Sequence, residues 1–123
     1  MVALPAEATA RLAARAALDK NADDLVLLDL RGLSTVADFF LIASARSTTQ
    51  ADTIVEAVRL TLKAVGARPR HREGSAESGW LLLDYVDVVV HVFVGETRHF
   101  YALERLWSDA PLLSVERGAA AGD

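Results

Sequence analysis

The chain has 123 residues, no cysteine and a formal net charge of −4. That length suits one domain of the commonest size, and a 52% hydrophobic content supplies a core; the missing cysteine excludes disulfides, thiolate metal sites and thiol nucleophiles. The acidic balance argues against binding nucleic acid mainly by neutralising phosphates, no apolar run reaches the ~20 residues that cross a membrane, and an N-terminus with Glu7 and no basic segment does not read as a secretion signal, so a soluble cytoplasmic protein is expected.

The alanine-rich stretch 5–20, with Leu12 and Leu18 as apolar anchors, predicts a first helix, because alanine has the highest helix propensity. Pro5 suits its first turn, and Asn21 ends it. Asp24 to Leu30 is an apolar run of strand length. Arg31, Gly32, Leu33 and Ser34 form a turn, and Phe39 to Ser44 is a second strand. Ser47 then caps a second helix, with Gln50 completing a capping box. Ile54, Val55, Val58, Leu62 and Val65 follow at helical spacing. Gly66 is the left-handed stop, and Pro69 prevents continuation. RPRHREGSAESG is polar, extended at first and then loop. Trp80 to Tyr85 and Val88 to Val94 are strands joined by a tight turn. Thr97 caps a last helix that stops before Pro111.

Leu81 and Leu83 alternate with Leu82, and Val88, Val90 and Val92 alternate with Val89 and Phe93. Apolar residues on both faces of a strand imply a sheet covered on both sides, by helices or by helices and a partner. The strand–helix–strand step at 39–72 permits a right-handed parallel crossover, while the later strands pair as a hairpin. The expected class is therefore α+β, a mixed sheet flanked by helices. It forms a single domain over 1–111, followed by a partly disordered tail at 112–123.

The segment from Trp80 to Trp107 holds both tryptophans, both tyrosines and half of the phenylalanines. Such a concentration marks a packed core, a recognition surface, or both. Trp107, Phe100 and Leu103 share one helical face and read as core. Trp80 enters its strand beside a glycine and reads as a surface anchor. Asp84 and Asp87 form a D-x-x-D pair, but residues i and i+3 of a strand do not share a face, so a turn role is preferred over two-metal chemistry. His71, His91 and His99 are scattered, with no convergent metal spacing; His91, in a valine-rich strand, reads as a neutral core or edge histidine with one hydrogen-bond partner. Arg68, Arg70 and Arg72 alternate as a short basic stripe, read as a solvated edge in preference to a ribose-phosphate contact. SARSTTQ enters a helix without glycines, which favours capping over an anion site. No metal and no cofactor are expected.

DLVLLDLRGLSTVADFFLIAS, HREG, W-x-L-L-D-Y, D-V-V-V-H-V-F and R-x-F-Y-x-L-E-R-L-W together resemble the ribosomal silencing factor family RsfS, also called Iojap or YbeB, over about residues 7–110. The resemblance implies a non-enzymatic protein with a nucleotidyltransferase-like fold. It implies a homodimer that binds the large ribosomal subunit through its universal fourteenth protein. Its bulk then keeps the small subunit from joining, which represses translation when nutrients are short. It assigns Trp80 to the ribosomal-protein contact and places Asp84, Tyr85, His91, Arg98, Tyr101, Glu104 and Arg105 on motif positions in or near the same surface. Two positions depart from the family pattern. Val86 stands where D-Y-G-D has glycine, so a turn of different type is expected. Ala45 replaces a common glycine in SARS. The rival readings are a magnesium-dependent nucleotidyltransferase-like enzyme using Asp84 and Asp87, and an RNA-binding module using Arg68, Arg70 and Arg72.

Overall fold

The computed structural model describes residues 4–115, apart from the side chain of Phe100. Helix α1 (Ala6–Asp19) leads into β1 (Asp23–Asp29) and β2 (Phe39–Ala45). Helix α2 (Thr48–Ala64) is followed by β3 (His71–Ser75), β4 (Trp80–Asp84) and β5 (Val88–Val94). Two short helices, α3 (Thr97–Tyr101) and α4 (Leu103–Leu106), precede β6 (Leu112–Leu113).

The six strands form one sheet in the order β3-β4-β5-β2-β1-β6. β2 and β5 pair in parallel, with Phe39 opposite Val88; the other neighbours are antiparallel. The sheet is therefore mixed, as the residue pattern implies. The crossover after α2 reaches the far edge strand β3, and β2 takes β5 as its parallel partner.

Both long helices stop by the same device. The N–H of Ala67 bonds the Leu62 carbonyl and that of Gly66 the Lys63 carbonyl, with Gly66 at φ +86°. At the end of α1, Ala22 and Asn21 do the same to Ala17 and Leu18, and Asn21 takes φ +63°. Ser47 Oγ accepts the Gln50 N–H at 3.1 Å. The Gln50 side chain does not close the box on Ser47. Its oxygen accepts the Arg46 N–H at 2.7 Å, and its nitrogen donates to the carbonyls of Lys20 and Asn21, tying the start of α2 to the end of α1.

One face of the sheet carries Leu27, Phe39, Leu41, Leu81, Leu83, Val90 and Val92 against α1 and α2. Ala10, Ala13, Ala14 and Ala17 are wholly buried there, and side chains that small let α1 lie close to the sheet and to α2. The other face carries Leu28, Phe40, Ile42, Val89 and Phe93, with Val26, Trp80, Leu82, Leu103 and Trp107 packed at its margin. Its cover is the short α3–α4 segment, none of whose α4 residues is itself buried, yet Leu28, Ile42 and Phe93 beneath it are at most 2% exposed.

Two stretches differ from their sequence reading, and a third, read as extended and as a solvated edge, pairs more regularly than that reading requires. The polar segment after Pro69 contains a regular edge strand, β3, with His71, Arg72, Glu73 and Gly74 all exposed. The last helix is broken at Ala102, which adopts φ +49° between α3 and α4; Thr97 lies inside α3 and donates its hydroxyl to the Val94 carbonyl. Leu112 and Leu113, placed by sequence in the tail, pair with Leu28 and Leu27 and cover the edge of β1. Residues 116–123, the remainder of that tail, lie outside the described residues.

Candidate functional site

Trp80, Leu82 and Asp84 point to the face that carries the α3–α4 segment, alternating with Leu81 and Leu83, which are buried beneath the helices. In the β4–β5 ladder Trp80 stands opposite Phe93, and Leu82 opposite His91. The indole stacks on Phe93 at 5.2 Å between ring centroids, and Tyr101 from α3 lies 4.2 Å from it on a tilted plane. Trp80 Nε1–H donates to His91 Nδ1 at 3.1 Å. A nitrogen that accepts carries no proton, so the neutral imidazole holds its proton on Nε2. That Nε2 is buried without a partner among the described residues. His91 is 3% exposed, and burial pushes its pKa from 6.5 down to about 4, which keeps the ring neutral at pH 7.

Beside this cluster a shallow groove of about 180 Å³ opens between Gly74, Ser78, Trp80, Leu82 and Tyr101. Gly74, the glycine of HREG, sits at φ +80°, and a Cβ there would overlap the Trp80 carbonyl oxygen. Only a residue without a side chain lets β3 lie against the start of β4 in this way.

Arg98 is nearly buried, with 11% of its side chain exposed. Its guanidinium donates to Glu104, at 2.9 Å for the shortest bond, and to Ser44 Oγ at 2.8 Å. These bonds fasten α3 and α4 to each other and to the end of β2. Arg105 is exposed at the rim of the same segment. Ser44 and Phe93 thus belong to this surface; both fall within family motifs, FFLIAS and D-V-V-V-H-V-F, without being singled out as site residues. Phe93 was accessible from strand alternation, two residues from His91; Ser44 had no signal beyond its place at the end of FFLIAS.

Asp84 and Tyr85 stand at the other end of β4. Asp84 accepts Arg70 Nη2 at 2.8 Å and the Val86 N–H at 2.7 Å. Burial raises its pKa, but these two bonds outweigh it and hold the carboxyl below its ordinary value. Tyr85 turns to the opposite face, against the α1 and α2 core. Its hydroxyl is buried with no partner among the described residues, and burial pushes its pKa up to about 12. The eight residues expected to share a surface therefore divide: Trp80, His91, Tyr101, Arg98, Glu104 and Arg105 gather on or beside the α3–α4 face, Asp84 lies at that face's far end, and Tyr85 lies behind it.

The turn at Val86 keeps the geometry a glycine would favour. Val86 has φ +75°, and the Asp87 N–H bonds the Tyr85 carbonyl at 2.9 Å, closing a γ-turn. The valine itself takes the positive φ, a strained conformation for a β-branched residue. Ala45 ends β2 without a positive φ, so the backbone there does not require glycine.

Asp84 is engaged by Arg70 and is not open beside Asp87; no group of three or more metal-ligating side chains occurs among the described residues. The arginine stripe is likewise divided. Arg70 is spent on Asp84, and Arg72, opposite Leu83, lies near Glu56 of α2.

The profile of a family described as "ribosomal silencing factor during starvation" matches residues 3–122. The chain belongs to the ribosomal silencing factor family, RsfS. A Bacillus subtilis protein named ribosomal silencing factor RsfS is 42% identical over 108 residues, covering 88% of this chain and 92% of the relative. A crystal structure of a Chromobacterium violaceum protein superposes with a TM-score of 0.82 at 30% identity, covering 95% of this chain and 97% of the other. One from Bacillus halodurans gives 0.77 at 35% identity, covering 89% and 99%. The family that the ordered motifs resemble is thus the family of the chain, and the mixed α+β architecture is shared with these two structures. The RsfS family is one of translation regulators, a class whose work needs a docking surface.

Proposed function

We propose that this chain represses translation by occupying the large ribosomal subunit. It grips the subunit's universal fourteenth protein through the Trp80 face and excludes the small subunit by bulk. No bond is made or broken. The observation that carries this reading is the aromatic cluster at the start of β4: Trp80 and Tyr101, both partly exposed, over a buried Phe93, on a sheet whose other side is closed by two long helices. Aromatic anchors in a partly desolvated cluster are what protein interfaces use for most of their binding energy. The net charge of −4 suits a basic ribosomal protein, with Glu104, partly exposed in its pair with Arg98, at the rim. Arg68 and Arg72 leave RNA contact as a secondary term. The protein acts as a homodimer in the cytoplasm and silences ribosomes under nutrient limitation.

Trp80→Ala tests the reading. The expected outcome is a loss of about 2 kcal/mol or more of binding, roughly thirty-fold, when the folded variant is pelleted with purified large subunits. The same variant should no longer prevent subunits from joining in a sucrose gradient. Equal recovery of variant and wild type at matched stability would overturn the proposal.

A further inference from the structure

We propose that His91 is the positioning residue of the Trp80 contact: it takes up the indole N–H, fixes the ring in one orientation, and leaves the partner an apolar ring with no donor to satisfy. This rests on the reading that Trp80 meets the partner, and it adds the chemistry of what Trp80 enters. The pocket must be lined by carbon, with no acceptor aimed at the indole nitrogen.

The geometry is specific. Trp80 and His91 lie on adjacent strands, one diagonal step apart on the same face. The Nε1–Nδ1 bond is 3.1 Å, and Phe93 and Tyr101 hold the indole from two further directions. A tryptophan fixed at a surface in this way loses little side-chain entropy on binding.

The histidine is a poor choice for stability alone. It occupies a strand that otherwise reads Val-Val-Val, then Val-Phe-Val, and it is 3% exposed. Accepting the indole proton puts its own proton on Nε2, where no described group receives it. An unpaired buried donor is unfavourable, and an apolar residue of similar size would remove it. The compensation is the acceptor it offers to Trp80.

The test compares wild type with Trp80→Ala, His91→Leu, His91→Phe and His91→Asn. Thermal stability, the Trp80 indole N–H resonance and co-sedimentation with large subunits are measured for each. The resonance is assigned by its absence from Trp80→Ala. Expected are stability at or above wild type in His91→Leu or His91→Phe, loss of exchange protection at the indole, and binding at least five-fold weaker. Asn, whose Oδ1 falls near the place of Nδ1, should restore part of the protection and of the binding. If the apolar variants unprotect the indole yet bind like wild type, the inference is wrong while the Trp80 contact stands. If they lose binding only in proportion to lost stability, the histidine is structural and the inference is again wrong. If Trp80→Ala itself binds normally, the underlying reading fails.

Discussion

Val86→Gly should stabilise the protein. Val86 holds φ +75° at the centre of the β4–β5 γ-turn, a region that a β-branched side chain occupies at a cost of about 1–3 kcal/mol. Glycine removes that strain and returns about 0.5–1 kcal/mol through the greater freedom of its unfolded chain. The valine side chain is 46% exposed, so losing it sacrifices only part of its apolar burial, of the order of 0.5 kcal/mol. The net expectation is a gain of about 1 kcal/mol, or about 3–5 °C in melting temperature for a domain of this length. The bonds that set the hairpin are backbone bonds or come from Asp84: Tyr85 N–H to Val88 carbonyl at 2.8 Å, and Val86 N–H to Asp84 Oδ1. They survive the change. Thermal unfolding followed by circular dichroism at pH 7 measures the shift, with Val86→Ala as control. Alanine keeps a Cβ at positive φ and should gain far less than glycine. A melting temperature for Val86→Gly at or below that of wild type would refute the assignment of strain to this turn.

Acid should destabilise the fold well above the carboxylate range. His91 has a folded pKa of about 4 against 6.5 unfolded, so between those values the unfolded chain binds the extra proton. The stability this group contributes is complete above pH 6.5, falls as pH drops toward 4, and then levels off, a total of about 3 kcal/mol. Urea midpoints from pH 7 to 4.5 read the slope, and His91→Leu should flatten it; an unchanged wild-type midpoint over that range would be incompatible with a neutral buried imidazole. Below pH 4 the loss continues through Asp29, held low by its Arg31 hydrogen bonds, and through Asp84. Gly74→Ala must push β3 away from the Trp80 carbonyl and adopt φ +80°; a loss of roughly 2–3 kcal/mol is expected, with weakened ribosome binding because Trp80 moves with it. Leu81→Ala, one residue from Trp80 but buried under the helices, should cost about 2–4 kcal/mol of stability and leave the affinity of the folded fraction unchanged.

The elements with a strong apolar period were legible. β1, β2, α2, β4 and β5 follow from runs such as FFLIAS and from Ile54, Val55, Val58 and Leu62, and Gly66 ends α2 by the geometry its glycine suggests. β3 was legible only as an extended, solvated edge, because an exposed edge has no apolar alternation to mark a paired strand. The break at Ala102 was not legible: alanine is the strongest helix former, and the interruption accompanies the Arg98–Glu104–Ser44 network, in which Arg98 bonds a residue 54 positions away. The candidate site was half legible on the same terms. Trp80 announces itself by size and by its place after Gly79. Its bond to His91 depends on the register between β4 and β5, which puts residues 11 apart side by side.

The uncomfortable features of the molecule are unevenly placed, and the placement bears on function. The buried Nε2 of His91, the crowded Gly74, the strained Val86 and the unpaired Tyr85 hydroxyl all belong to β3, β4, β5 and their turns. Ala102, left-handed without being Gly, Asn or Asp, adjoins Tyr101. The α1–α2 side of β1 and β2 shows closely packed alanines, leucines and aromatic rings, and its left-handed residues other than glycine are Asn21 and Asp24, types that tolerate that conformation. A sheet optimised only for stability would have no reason to keep a histidine in β5 or a valine at φ +75°. One half of the fold is closely packed while the other holds the Trp80 indole against His91 and Phe93, the division of labour that the proposed docking role requires.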